Sequence, residues 1–175
     1  MVTLGQKAPD FITPALVDGE GVIIELFAEI RRHDAIVLYF YPADFVPECT
    51  AELVAMRRAG WHDHSGLAVI GLSGDSLFSH AAYAERHDLP FPLVSDFHGG
   101  VAETYGLLAE EWEGHSHIPE RAAVVVGGDW EVLAIERVDN PLEWTKPAPV
   151  EQAAETLQQY SIDVSTPDVV YETRE

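Results

Sequence analysis

Two continuous apolar runs dominate the hydrophobic pattern of the chain. Residues 35–41 and 67–72 are apolar at nearly every position, without the polar alternation of a half-exposed strand. Runs of this kind are typical of strands that are buried on both faces of a sheet. Pro42 directly follows the first run. The pattern therefore predicts two central strands.

Amphipathic segments between and after these runs predict helices. The first covers residues 47–60, with Pro47 in its first turn and Gly60 at its end. Ser76 is a suitable N-cap for a second helix that continues to about residue 88. Residues 101–105 and 150–160 predict a short helix and a last amphipathic helix.

Further strands are predicted in the second half of the chain. Residues 91–94 form a short apolar run that follows Pro90 and contains Pro92, and because prolines cannot donate to a ladder we predict an edge strand. Residues 121–126 and 131–135 flank Gly127-Gly128-Asp129, a sequence typical of a hairpin. Strands alternating with helices and followed by a hairpin predict an α/β fold, with helices on both faces of one sheet.

The length of 175 residues fits one domain. The last residues, 161–175, are polar and contain Thr166-Pro167. We therefore predict a domain over residues 1–160 and an acidic C-terminal arm or tail over residues 161–175.

Composition excludes several classes of protein. The formal net charge is −20, which argues against nucleic acid as a partner, because phosphate binding needs a basic surface. No stretch approaches the ~18 consecutive apolar residues of a membrane-spanning helix. Residues 1–6 have neither the basic nor the apolar region of a secretory signal, so we expect a cytoplasmic protein.

The acidity is spread along the chain, with 30 acidic residues against 10 basic ones. Only Lys7 and Lys146 are lysines. An acidic, lysine-poor surface around an ordinary core indicates adaptation to a salty cytoplasm, where high ionic strength screens the repulsion between like charges. The alternative is an ordinary acidic protein.

Cys49 is the single cysteine, which excludes an intramolecular disulfide, a Cys-x-x-Cys pair and a cysteine-rich zinc site. It lies two residues after Pro47, in the first turn of the predicted helix. Free backbone N–H groups and the helix dipole at that place are expected to lower the thiol pKa. The alternative is an inert, small hydrophobic residue.

The segment around Cys49 resembles the active-site segment of peroxiredoxins, the alkyl hydroperoxide reductase/thiol-specific antioxidant family. That family has the pattern Pro-x-x-x-Thr-x-x-Cys, which Pro42 and Cys49 match, and Glu52 matches the acidic residue three positions later. Arg121 stands where the family has an arginine on a later strand. Further similarity is found in residues 5–11, 71–76 and 89–96. The resemblance, closest to the Q-type (bacterioferritin comigratory protein) or one-cysteine pattern, covers roughly residues 3–160 and implies a thioredoxin-like fold with a central mixed sheet.

The resemblance also implies a reaction. Cys49 would attack a peroxide and become a sulfenic acid. Arg121 would stabilise the thiolate and the leaving oxygen. Pro42 would shield the sulfur, and Glu52 would orient Arg121. Such a thiol peroxidase requires no metal, flavin or haem.

Two positions depart from the family pattern. Val46 stands at the usual threonine position and has no hydroxyl for the sulfur or the peroxide; it is also a poor N-cap unless Asp44 substitutes for it. Val54 stands where Q-type members often carry a second cysteine. We therefore expect reduction by an external thiol or a thioredoxin-like protein, and a homodimer only by analogy. The alternative function is a peroxide sensor or binding protein with weak or no peroxidase activity.

Other polar clusters carry weaker predictions. His62 and His64, like His115 and His117, lie in polar stretches without the spacing of paired zinc ligands, and we expect solvated loop residues rather than a metal site. The pairs Arg31-Arg32 and Arg57-Arg58 are expected to lie on solvated helix faces and to pair with the abundant acidic residues.

Overall fold

The structure is a computed structural model, and it describes residues 1–172. Its strands are β1 (Ile12–Val17), β2 (Glu20–Glu25), β3 (Ala35–Phe40), β4 (Leu67–Ser73), β5 (Leu93–Ser95), β6 (Leu108–Trp112), β7 (His115–Pro119), β8 (Arg121–Gly127) and β9 (Val132–Val138). Its helices are α1 (Leu26–Ile30), α2 (Pro47–Arg58), α3 (Leu77–His87), α4 (Gly100–Tyr105) and α5 (Pro149–Gln159).

A seven-stranded sheet forms the centre of the molecule, in the order β2-β1-β5-β4-β3-β8-β9. The apolar strand β3 lies inside it, parallel to β4 and antiparallel to β8, so the sheet is mixed. Side chains of β3 alternate between two cores: Val37 and Tyr39 pack with residues of α2, α3 and α5, whereas Leu38 and Phe40 pack with residues of α1 and α4. Helices therefore cover both faces, and the predicted α/β fold class is confirmed.

The predicted helices and the hairpin of β8 and β9 are present, and the side chain of Ser76 caps α3 by accepting from the backbone N–H of Ser79. The prediction of an edge strand near residues 91–94 was wrong. Strand β5 lies between β1 and β4. Pro90 and Pro92 precede the paired residues of β5. Pro92 contributes only its carbonyl, which accepts a hydrogen bond from the N–H of Gly71.

The hairpins β1–β2 and β6–β7 carry no clear sequence signal. Strand β1 contains Pro14, and β2 is exposed at every position except Ile24. Neither strand therefore shows the regular apolar alternation by which strands are recognised.

The segment after α5 packs onto the domain without forming a helix or strand through residue 172. Ile162, Val164 and Val169 are buried in the same core as α2, and the indole N–H of Trp61 donates to the carbonyl of Ser165 at 2.8 Å. Residues 173–175 of the predicted arm lie outside the described part of the chain. Over residues 1–172, no helix is both long enough and apolar enough to cross a bilayer.

Candidate active site

Helix α2 begins just after the carboxyl end of the central strand β3. Val46 is its N-cap residue, with extended backbone and no side-chain cap, and the hydroxyl of Thr50 donates to the Val46 carbonyl at 2.9 Å. Pro47 occupies the first turn, which places Cys49 in that turn as expected. Glu52 follows Cys49 by three residues, so the two side chains share one face of the helix.

Asp44 does not replace the missing cap. Its carboxylate instead accepts hydrogen bonds from the hydroxyls of Tyr41 and Ser79, both at 2.8 Å, and lies 2.8 Å from the imidazole Nδ1 of His80. The His80 ring also contacts the carbonyl of Val94 through Nε2 at 2.9 Å. These bonds fix the loop that leads from β3 into α2.

The sulfur of Cys49 is completely buried. Burial raises the pKa of the Cys49 thiol well above its usual value, and the Glu52 carboxylate raises it further. The Arg121 charge and a hydrogen bond with Tyr39 lower this pKa by smaller amounts. The sequence-based prediction of a lowered pKa was therefore wrong, because desolvation and a neighbouring carboxylate outweigh the helix N-terminus.

A buried ion pair lies beside the thiol. Arg121, the first residue of β8, donates from Nε to Glu52 Oε2 at 2.6 Å, and both side chains are fully buried. The Tyr39 hydroxyl donates to the same Oε2 at 2.5 Å. Burial raises the pKa of Glu52, and the Arg121 charge opposes that rise. Among the described residues, Glu52 Oε1 has no hydrogen-bond partner.

The outer nitrogens of Arg121 bind two segments far along the chain. One donates to the carbonyl of Glu143 at 2.7 Å, and the other donates to the hydroxyl of Tyr171 at 2.7 Å. The Tyr171 hydroxyl in turn donates to the carbonyl of Thr145 at 3.3 Å. The C-terminal segment thus helps to fix the guanidinium and covers its outer side.

The structure brings Cys49, Glu52 and Arg121 together. Val46 is almost fully buried at the start of α2, and Pro42 is buried directly after β3. The arrangement combines a thiol, a carboxylate, a cation and a phenol, away from bulk water. It is suited to a reaction at sulfur that transfers a proton and builds negative charge.

Sequence reasoning missed Tyr39 and Tyr171. The alternation of β3 contained a signal for Tyr39, since it shares a face with Val37 and that face packs against α2. For Tyr171 there was no such signal, because it follows α5 in a segment without regular secondary structure.

The histidine pairs His62/His64 and His115/His117 do not form a metal site within residues 1–172. Throughout residues 1–172, no group of three or more potential ligands is arranged to hold a metal ion. His62 instead pairs with its neighbour Asp63 at 3.4 Å, and His115 and His117 lie on β7 in the outer hairpin.

Comparison with known proteins gives consistent matches. The family model described as AhpC/TSA matches residues 4–135. A Coxiella burnetii protein described as a peroxiredoxin, bcp, is 36% identical over 112 residues, which are 63% of this chain and 70% of the relative. A chloroplastic 2-cysteine peroxiredoxin of Chattonella marina is 31% identical over 177 residues, covering 97% of this chain and 86% of the relative. The crystal structure of the peroxidoxin BcpB of Mycobacterium tuberculosis superposes with a TM-score of 0.76 at 26% identity, covering 91% of this chain and 98% of that one.

Proposed function

Because the chain belongs to the AhpC/TSA family, and so is a peroxiredoxin of the thiol peroxidase class, we propose that it reduces hydrogen peroxide and small organic hydroperoxides at Cys49. The observation that supports this most is the buried Cys49 thiol beside the Glu52–Arg121 ion pair. Family membership and a fold shared with a peroxidoxin agree with it. They do not favour the alternative of a sensor or binding protein.

The first step oxidises the sulfur by two electrons. The Cys49 sulfur attacks the terminal oxygen of the hydroperoxide, so that an S–O bond forms while the O–O bond breaks. The thiol proton ends on the leaving oxygen, which departs as water or an alcohol, and Cys49 becomes a sulfenic acid.

The neighbouring groups provide a route for that proton. The raised pKa of Cys49 keeps the thiol protonated at rest. The Glu52 carboxylate, whose Oε1 has no hydrogen-bond partner within residues 1–172, accepts the proton as the sulfur attacks and returns it to the leaving oxygen. Arg121 stabilises the charge that builds on sulfur and oxygen. The Tyr39 hydroxyl donates its only proton to Glu52 at rest. During the reaction it can rotate and donate to the sulfur instead.

Pro42 and Val46 flank the Cys49 sulfur in this scheme. Pro42 shields the sulfur from bulk water, which limits oxidation beyond the sulfenic acid. Val46 occupies the usual threonine place and contributes no hydroxyl, and in this scheme Tyr39 and Arg121 act as donors to the reacting atoms.

Reduction requires an external thiol, since the chain has no second cysteine. One thiol displaces the sulfenic oxygen as water and forms a mixed disulfide with Cys49. A second thiol then releases the Cys49 thiol and leaves as the disulfide of the reductant. The reductant is a small thiol or a thioredoxin-like protein. No metal or organic cofactor takes part in these steps.

The experiment that tests the function measures peroxide and thiol together. With dithiothreitol as the reductant, we expect catalytic consumption of one hydrogen peroxide for each dithiol oxidised, at a rate proportional to protein. Consumption equal to that of dithiothreitol alone would contradict the proposal.

Replacing Val46 by Thr is expected to accelerate the oxidation of Cys49. The added hydroxyl would bind the sulfur or the peroxide in the transition state, where one such donor contributes up to ~10²–10³-fold in rate. Stopped-flow mixing with hydrogen peroxide measures the second-order rate constant, with Val46→Ala as a control that changes the size but adds no hydroxyl. Thr is also a better N-cap, which contributes about 1 kcal/mol to stability. A stabilised V46T protein with an unchanged rate would show that this hydroxyl is dispensable here.

We also propose that the protein is halophilic and cytoplasmic. Its net charge of −20 costs stability at low salt, and ~1 M salt shortens the screening length to about 3 Å. Melting curves should shift upward between low salt and molar potassium chloride, and a flat or falling melting temperature would contradict this. A reactive free thiol suits a reducing compartment such as the cytoplasm.

We propose one peroxiredoxin domain followed by a C-terminal arm, and assembly into a homodimer. Residues 1–160 form the peroxiredoxin domain and residues 161–175 the C-terminal arm, in which the Tyr171 hydroxyl accepts a hydrogen bond from Arg121. A homodimer is supported by two exposed aromatic side chains, Phe78 at 89% and Phe97 at 66% exposure. Sedimentation equilibrium at micromolar concentration measures the assembly, and a monomer there would contradict it.

A further inference from the structure

A groove with a volume of about 510 Å³ runs along the outer side of α2, between the end of α3 and the C-terminal segment. This volume lies within the range of small-molecule sites, which is roughly 300–1,000 Å³. Arg57 and Arg58 from α2 and Arg86 and His87 from α3 line it.

These arginines have no ionic partner in the described part of the chain. Elsewhere, Arg32, Arg121, Arg137, Lys7 and Lys146 all pair with carboxylates, and Arg31 lies over the ring of Trp130. The remaining three described arginines are those of the groove. The prediction that Arg57 and Arg58 pair with acidic residues was therefore wrong for residues 1–172, although Arg32 does pair with Glu29. Within residues 1–172, the arginines without an ionic partner therefore all line one groove, although the chain has 30 acidic residues.

One of these cations is partly desolvated without compensation. The Nε of Arg57 is buried and has no hydrogen-bond partner among residues 1–172. Leaving a buried donor unpaired destabilises the folded protein, and more so when the group is charged. A bound acceptor would remove that destabilisation.

The groove has an acidic side and an apolar part. Asp168 and Glu172 line it from the C-terminal segment, and Asp88 lines it after α3. No nitrogen of the groove arginines lies within 4.0 Å of these carboxylates, as judged over the described chain. Phe45 and Val54 add apolar surface. The groove is thus basic along α2 and α3 and acidic along the C-terminal segment, and Phe45 and Val54 suit a carbon skeleton.

The groove adjoins the active-site turn. Pro47 and Thr50, which flank Cys49 in the sequence, belong to its lining, whereas the Cys49 side chain points into the core. A molecule in the groove therefore lies against the first turns of the helix that carries the reactive sulfur.

We propose that the groove binds the carboxylate of a small organic anion that reacts at Cys49. Guanidinium groups bind carboxylates through charge-assisted hydrogen bonds, and Arg57, Arg58 and Arg86 provide three of them. This inference rests on the proposed peroxidase function and specifies the substrate of the same site. The anion is either an organic hydroperoxide or the thiol that reduces the sulfenic acid, since both present the same group to the arginines.

Binding is measured first with succinate, which has neither a thiol nor a peroxide. Isothermal titration at low salt should show saturable binding that weakens in molar salt as charges are screened. The exposed pair of substitutions Arg58→Gln and Arg86→Gln should weaken binding about tenfold or more. The control Arg31→Gln with Arg32→Gln removes the same charge elsewhere and should change binding less than about twofold. Arg57→Gln is a second, independent variant.

Two rate comparisons distinguish whether the bound anion is the reducing thiol or the organic hydroperoxide. For the reductant, the rates with mercaptosuccinate and with the cationic thiol cysteamine are compared after Cys49 has been oxidised. For the substrate, linoleic acid hydroperoxide is compared with its methyl ester. In the Arg58→Gln/Arg86→Gln protein, the ratio of the rate with the anionic compound to the rate with the non-anionic compound should fall about tenfold in one of these two comparisons. That comparison shows whether the bound anion is the reducing thiol or the hydroperoxide.

The outcomes separate this inference from the function on which it rests. Absence of saturable succinate binding, or equal losses in the groove variant and the control, would overturn the inference. Unchanged ratios in both rate comparisons would also overturn it, even if succinate binds. A Cys49 that fails to react with hydrogen peroxide while succinate still binds would instead contradict the peroxidase function.

Discussion

The Cys49→Ser protein is expected to consume peroxide no faster than buffer does. A serine hydroxyl is a far weaker nucleophile than a thiol, and the chain has no second cysteine that could replace it. The nucleophile and its neighbours act as a unit, so that removing the nucleophile alone removes most of the catalysis. The rate of peroxide consumption should therefore fall by at least about 10³-fold. Consumption is measured with dithiothreitol as reductant.

The substitution must leave the fold intact for this result to be informative. Serine is close in size to cysteine, and Glu52 and Tyr39 offer acceptors for its hydroxyl. Melting temperature and circular dichroism therefore serve as controls. Retained turnover in a folded Cys49→Ser protein would contradict the mechanism.

Replacing Arg121 by Met is expected to reduce both stability and activity. The change leaves the Glu52 carboxylate buried with only the Tyr39 hydroxyl as a partner. Breaking a buried ion pair in this way costs about 3–5 kcal/mol in the free energy of unfolding, which chemical denaturation measures. Loss of the charge that stabilises the transition state should lower the rate of Cys49 oxidation by ~10²–10³-fold.

A second substitution separates these two effects. Adding Glu52→Leu to Arg121→Met removes the uncompensated charge, and apolar replacement of a whole ion pair is often close to neutral for stability. We expect the double variant to recover much of the lost stability and none of the lost rate. Recovery of the oxidation rate together with stability would contradict the roles of both Arg121 and Glu52 in the chemical step.

Much of the fold could be predicted from the sequence, because strong local signals agreed with the tertiary structure. The apolar run of β3, the proline at the start of α2 and the cap at Ser76 each specify one element. Strand β5 was assigned to the wrong place because pairing depends on which distant strand arrives beside it. Here β1 does so, and nothing in residues 91–94 encodes that contact.

The sequence motif predicted which residues lie near Cys49, but not the electrostatics of that cluster. The motif indicated Cys49, Glu52 and Arg121, and the structure brings them together. Position on the helix predicted a lowered thiol pKa, whereas the pKa is raised, because burial and the exact place of a carboxylate follow only from tertiary packing. The contact of Tyr171 with Arg121 joins positions fifty residues apart, and no local pattern encodes it.

We propose that Cys49 reacts with peroxide as an activated thiol without the usual threonine. The most direct test is rapid mixing of the reduced protein with hydrogen peroxide in molar salt, with a sulfenic-acid trap and mass spectrometry at Cys49. We expect stoichiometric trapping at Cys49 at a rate at least about 10²-fold above that of a free thiol, because Arg121 and its neighbours would stabilise the transition state. Trapping no faster than that of a free thiol would contradict it and would favour a peroxide sensor or binding protein.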